Sequence, residues 1–109
     1  MRRLIFGLLL CSAVFASGAW AETVFVKYRG PVDLETFTCH HTVSSFVNRI
    51  CYQSENQYLI VLLNDTYYHY CRIPPSVVEQ WLRAPSKGRF YNAYVKGKYD
   101  CRLGGIPER

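Results

Sequence analysis

Hydrophobic and polar positions are most regularly patterned in the middle of the chain. Residues 46–52, 58–63 and 66–72 are rich in aromatic and branched side chains, and turn-prone residues 53–56 and 64–65 separate them. That spacing predicts a three-stranded antiparallel meander. Leu59, Val61 and Leu63 share one face of the middle strand, and Tyr58, Ile60 and Leu62 share the other. Both rows are apolar, so the strand is expected to be covered on both faces. With Leu63 opposite Thr66, Tyr68 and Tyr70 join the Leu59 row while Tyr67, His69 and Cys71 point the opposite way.

The flanking segments are shorter. Residues 23–28 alternate around Val24, Val26 and Tyr28 and predict a fourth, N-terminal strand that Arg29-Gly30-Pro31 stops. Residues 32–43 show no period and read as an irregular connector. Pro74-Pro75 ends the meander and opens a helix, with Ser76 as its cap and Val77, Val78, Trp81 and Leu82 at helical spacing through Arg83. Pro85-Ser86 restarts the pattern, and a second short helix over 87–94 carries Phe90, Tyr91 and Tyr94 before Gly97 ends it. Gly104, Gly105 and Pro107 mark 103–109 as a flexible tail. The expected fold class is α+β: a meander packed with one or two short C-terminal helices.

The first 21 residues follow a different rule. Arg2 and Arg3 precede an apolar run over 4–15, and Ala19-Trp20-Ala21 supplies a small-x-small cleavage site. This is the three-part pattern of a secretory signal peptide, cleaved after Ala21. The run falls short of the roughly 20 residues of a spanning helix, so the mature form is not expected to span a membrane. Cys11 lies mid-run after Leu10, which is not the setting of a lipidation site. The expected location is secreted or periplasmic. The organisation is then a signal over 1–21, an N-terminal extension over 22–43 and a domain over 44–102.

Export changes how the cysteines are read. Cys39, Cys51, Cys71 and Cys101 remain after cleavage, an even number in an oxidising compartment, and two disulfides are the expectation. A metal site at Cys39, His40 and His41 is the rival, but no C-x-x-C pair accompanies it. In the meander, Cys51 and Cys71 lie two strand spacings apart, about 9–10 Å, beyond the reach of a disulfide. This disfavours Cys51–Cys71, and Cys39–Cys101 with it. Cys39–Cys51 with Cys71–Cys101, and Cys39–Cys71 with Cys51–Cys101, both stay open.

Charge is uneven. The formal net charge is +5. Residues 22–80 carry Lys27, Arg29, Arg49 and Arg72 against six acidic side chains, a balance of −2. Residues 81–109 carry seven basic side chains against Asp100 and Glu108, a balance of +5. A basic end of this kind favours an anionic partner.

Several segments together resemble the KTSC domain. They are Ser44-Ser45 with Val47, Ile50 and Tyr52, the run 59–63, Tyr68-His69-Tyr70, Ile73-Pro74, the stretch 84–92, and Lys96-Gly97-Lys98-Tyr99. That domain is named for the C-terminal extension of some lysyl-tRNA synthetases and also occurs alone in small bacterial proteins. The resemblance covers residues 44–102 and implies a small α+β fold of unassigned activity, for which RNA binding has been suggested. The chain departs from the plain domain in its signal, its extension and its four cysteines. Cys51 stands where the family has a small residue, which implies a crowded backbone there. Export points away from tRNA as the ligand.

Candidate chemistry divides into three classes. A non-catalytic binding or interaction module is the leading expectation, with no cofactor, no metal, and an anionic polymer or a cell-envelope protein as candidate partner. Its candidate residues are Tyr67 and His69 on the outer row of the third strand, and Lys87, Arg89, Lys96, Lys98 and Arg102 interleaved with aromatic residues. The second class is binding of nucleic acid or another anionic polymer through that basic aromatic segment, where stacking and phosphate contacts would act together. The third is an enzyme using Cys71 with His69, or Cys39 with His40. It needs a free, activated thiol, which paired cysteines do not provide.

Overall fold

The computed structural model describes residues 22–103. The predicted signal over 1–21 and residues 104–109 of the predicted tail lie outside them. Among the described residues, no helix is long and apolar enough to cross a membrane.

The predicted meander is present, as β4 (Val47–Gln53), β5 (Tyr58–Leu63) and β6 (Thr66–Tyr70). The register places Leu63 opposite Thr66, with Val61 opposite Tyr68 and Leu59 opposite Tyr70. Asn64 turns the β5–β6 hairpin at φ 57°, the left-handed region that Asn tolerates better than most residues.

The sheet is larger than the meander. Three more strands, β1 (Thr23–Val26), β2 (Gly30–Asp33) and β3 (Thr38–His41), complete a six-stranded mixed sheet in the order β2-β1-β6-β5-β4-β3, curved into a half-barrel. The expectation of an irregular connector over 32–43 is therefore corrected. The segment holds the end of β2, a short crossing, and β3. Arg29-Gly30-Pro31 does not end the strand region either. Tyr28 at φ 72° and Gly30 at φ 98° reverse the chain, and β2 pairs back on β1 from Val26↔Gly30 to Thr23↔Asp33. The β1–β6 contact is parallel, at Val26↔Tyr67.

The sheet has a core on each face. On one face Val24, Val26, Val32, Leu34, Tyr58 and Ile60 pack with Cys51, Cys71 and Cys101. On the other side Val47, Ile50, Leu59, Val61 and Ile73 pack under Val78, Trp81, Tyr91 and Val95 of the helical segment. Both rows of β5 are covered, as its unbroken apolar run requires.

Helix α1 spans Pro75–Arg83. Its cap is Pro74, not Ser76, and no side chain caps it. Pro75 at the first helical position has its φ already set and no N–H to satisfy, so the helix starts two residues earlier than a Ser76 cap would place it. Helix α2 (Lys87–Phe90) is capped as expected, with the Ser86 hydroxyl accepting from the Arg89 N–H at 3.2 Å. It widens into a π-turn over Tyr91–Val95, which brings Tyr91 and Val95 into the core together. Gly97, at φ 76°, ends it. Leu103 closes a short 3-10 turn, Cys101–Leu103, rather than opening the tail.

The cysteine pairs at bonding distance are Cys39–Cys51 and Cys71–Cys101. Cys39 lies directly opposite Cys51 across β3 and β4, with Cα atoms 4.0 Å apart. Cys71 follows β6 and reaches the C-terminal turn, with Cα atoms 4.7 Å apart. One of the two open pairings is thus realised.

Candidate functional site

The clearest polar concavity on the helical side lies where residues 43–46 approach residues 85–92. Each wall has its own local cause. The Ser44 hydroxyl accepts from the Val47 N–H at 3.1 Å and holds the entry to β4. Across from it, Ser86 caps α2, and the Trp81 indole donates to the Lys87 carbonyl at 3.0 Å, tying the segment to the buried face of α1. The two walls meet at Gly88. A Cβ there would lie 2.5 Å from Cε1 of Phe46, so any larger residue would displace that ring. Ser44, Ser45, Lys87, Arg89 and Asn92 present hydroxyl, cationic and amide groups around the cleft.

The candidate binding residues do not form one surface. Lys87 and Arg89 lie at this cleft, but the Lys87 ammonium donates to the Ala84 carbonyl at 2.6 Å, while Arg89 is exposed. Lys96 and Lys98 are exposed on the turn that follows the π-turn. Arg102 lies beyond Tyr99, where the chain has passed to the face of the sheet that buries Cys101, and pairs with Asp100. That pairing holds the Asp100 carboxyl at about 2, the side-chain bond first and the Arg102 backbone N–H second.

Tyr67 and His69 are half-buried on the face away from the helices, where Tyr67 packs with Val24, Val26 and Val32 of the N-terminal strands. The Tyr67 hydroxyl accepts from Arg49 at 3.1 Å, and Arg49 also holds both oxygens of Glu22 at 2.7 and 2.8 Å. The bond from Arg49 is the main reason the Glu22 carboxyl titrates below its ordinary value. His69 Nδ1 shares a hydrogen bond of 2.8 Å with the Tyr58 hydroxyl, and the Arg29 guanidinium sits over the Tyr58 ring at 5.3 Å. On the helical side, Tyr70 is bonded to Tyr91, and burial followed by that bond pushes the Tyr70 phenol well above its ordinary value.

The His69 environment gives a pH dependence of stability. Burial first, and the Arg29 charge second, push the imidazole below its usual 6.5, with Asp100 partly opposing. The unfolded chain therefore binds a proton more readily than the folded one. The contribution is fully present above pH 6.5 and is lost as pH falls toward the lowered folded value. A urea midpoint that drops between pH 7 and pH 5, with a smaller drop in His69→Asn, is the expected result. Equal drops in the two proteins would remove His69 as the cause.

No group of three or more metal-ligating side chains is clustered among the described residues, and the Cys39 sulfur lies at bonding distance from Cys51. The Cys71 and Cys39 sulfurs are each directed to another sulfur rather than to a histidine.

The KTSC domain family matches residues 43–99, from the first wall of the cleft to the turn beyond the second. The chain belongs to the KTSC domain family. The chain is similar to lysine–tRNA ligase of Nostoc punctiforme, 32% identical over 68 residues, which is 62% of this chain and 12% of the ligase. The corresponding ligase of Trichormus variabilis is 31% identical over 68 residues, with the same coverage. The chain thus spans about an eighth of the length of these curated relatives. Among solved structures it is similar to a KTSC domain protein from Yersinia pestis, with a TM-score of 0.55 and 28% identity, covering 58% of this chain and 90% of that one. Strands β1 to β3 precede the matched region, so the sheet extends beyond the residues that the family matches.

Proposed function

We propose that this KTSC protein is an exported, non-catalytic binding module that takes a polyanion at the cleft between residues 43–46 and 85–92 and along the basic turn beyond it. The observation that carries this reading is the convergence on one polar cleft of two segments more than forty residues apart, Ser44-Ser45 and Ser86-Lys87-Gly88-Arg89. Arg89 is exposed at the cleft, Lys96 and Lys98 are exposed on the turn that follows the π-turn, and none of them appears in an ion pair among the described residues. The pairing of Cys39, Cys51, Cys71 and Cys101 supports the non-catalytic side, because a disulfide sulfur is not a thiolate nucleophile. The similarity to lysine–tRNA ligases fits a ligand with a phosphate backbone; the predicted signal peptide argues for a ligand other than tRNA.

The test is a titration of labelled single-stranded RNA and of inorganic polyphosphate against ionic strength. Three phosphate contacts on a single strand give a slope of log K on log salt of about −2, and Arg89→Ala lowers its magnitude by about 0.7. Binding that does not change with salt, or no binding at low salt, would overturn the proposal.

A further inference from the structure

The geometry points to a second binding surface of opposite character: an edge-strand groove between β3 and α1 that accepts an extended peptide with basic side chains flanking an aliphatic one. β3 is the last strand of the sheet, and among the described residues it pairs only with β4. The other end of the sheet, β2, carries Pro31, which cannot donate to an added strand. β3 contains no proline, and three of its four residues, Thr38, His40 and His41, are exposed.

A groove of about 300 Å³ runs beside this edge. One wall is the strand row of Thr38 and His40, which alternates with Cys39 on the opposite face. The facing wall is one side of α1, where Val78, Glu79 and Leu82 lie within one turn of one another. Glu55 closes one end from the β4–β5 turn, and no Lys or Arg lines the groove. This is an acidic groove on a basic chain.

Strand addition followed by a helix-walled groove is a recurring way to read extended peptides. Main-chain bonds to the edge give affinity, and alternate side chains in the groove give selectivity. A peptide added to β3 would place every second side chain toward α1. A Lys-x-Leu-x-Lys row matches the walls, with the leucine against Leu82 and the ammonium groups toward Glu55 and Glu79. The surface is distinct from the polyanion cleft, and the two proposals can fail separately.

The probe is a labelled, end-capped peptide of sequence Thr-Lys-Thr-Leu-Thr-Lys-Thr, titrated by anisotropy and followed by amide shifts. The expected result is saturable binding with shifts concentrated at residues 38–41, and a loss of at least tenfold in Glu79→Lys, an exposed position whose replacement leaves the fold intact. A peptide N-methylated on alternate amides, which perturbs nothing in the protein, should also lose at least tenfold. No saturable binding, retention of binding by the N-methylated peptide, or shifts confined to residues 43–46 and 85–92 would each overturn the proposal. So would peptide-independent protection of β3 amides that grows with protein concentration, since a second copy would then be the occupant.

Discussion

Trp81→Ala is expected to lower stability by about 3–5 kcal/mol, the range for removing a large buried aromatic side chain. Small domains hold only about 5–15 kcal/mol in total. Trp81 is fully buried, stacks on Phe90 at 6.2 Å and on Tyr91 at 6.0 Å, and is the point where α1 meets the helical segment after Pro85. Alanine would leave a cavity between two short elements that have little other means of closing it. A melting temperature at least about 12 °C lower follows from the lower end of that range for a domain of this size. Trp81→Phe separates packing from hydrogen bonding. It retains most of the apolar contact but removes the indole donor to the Lys87 carbonyl, which keeps the Tyr91 N–H, so the loss is that of one hydrogen bond, about 0.5–1.5 kcal/mol. That smaller change should also loosen residues 85–92 and weaken polyanion binding before the protein unfolds. If Trp81→Ala melts within about 4 °C of the parent, the aromatic cluster is not the anchor of the helical face.

The boundary between what could and could not be read from the chain follows burial. The meander was legible because β5 is apolar on both rows and Asn64-Asp65 leaves one short hairpin register. Ser86 was legible as a cap because a hydroxyl before a helical segment has few other uses. β2 and β3 were not legible. They are four-residue edge strands, and in β3 only Cys39 faces the core, so neither has enough alternating positions to show a period of two. The parallel β1–β6 contact at Val26↔Tyr67 carries no local signal at all, because its partners lie 41 positions apart. The candidate site divides in the same way. Ser44-Ser45 and the stretch from Ser86 were visible as separate motifs, but their convergence depends on Gly88 lying against Phe46. His69 and Tyr67 pointed away from the Leu59 row as read. What covers them is the N-terminal hairpin, whose second strand the pattern hid.

The larger of the two disulfide effects is expected at Cys71–Cys101. The two bonds close chain segments with sequence separations of 30 and 12 residues. Restriction of the unfolded chain then favours the native state by about 3.6 kcal/mol for the longer loop and about 2.8 for the shorter. Local structure widens this gap. Cys39 and Cys51 already face each other on paired strands, so β3 keeps its ladder to β4 when the sulfurs separate. Residues 99–103 belong to no strand, and what fixes them is the Cys71–Cys101 bond together with the bond from the Cys71 N–H to the Tyr99 carbonyl at 2.8 Å. The double variant Cys71→Ala with Cys101→Ala should therefore lose more in a urea titration than Cys39→Ala with Cys51→Ala. It should also free the segment that carries Lys96 and Lys98, weakening polyanion binding, while leaving peptide binding at β3 intact. The opposite order of stabilities would mean that the edge strand, not the C-terminal turn, is the part of the fold that depends on its cross-link.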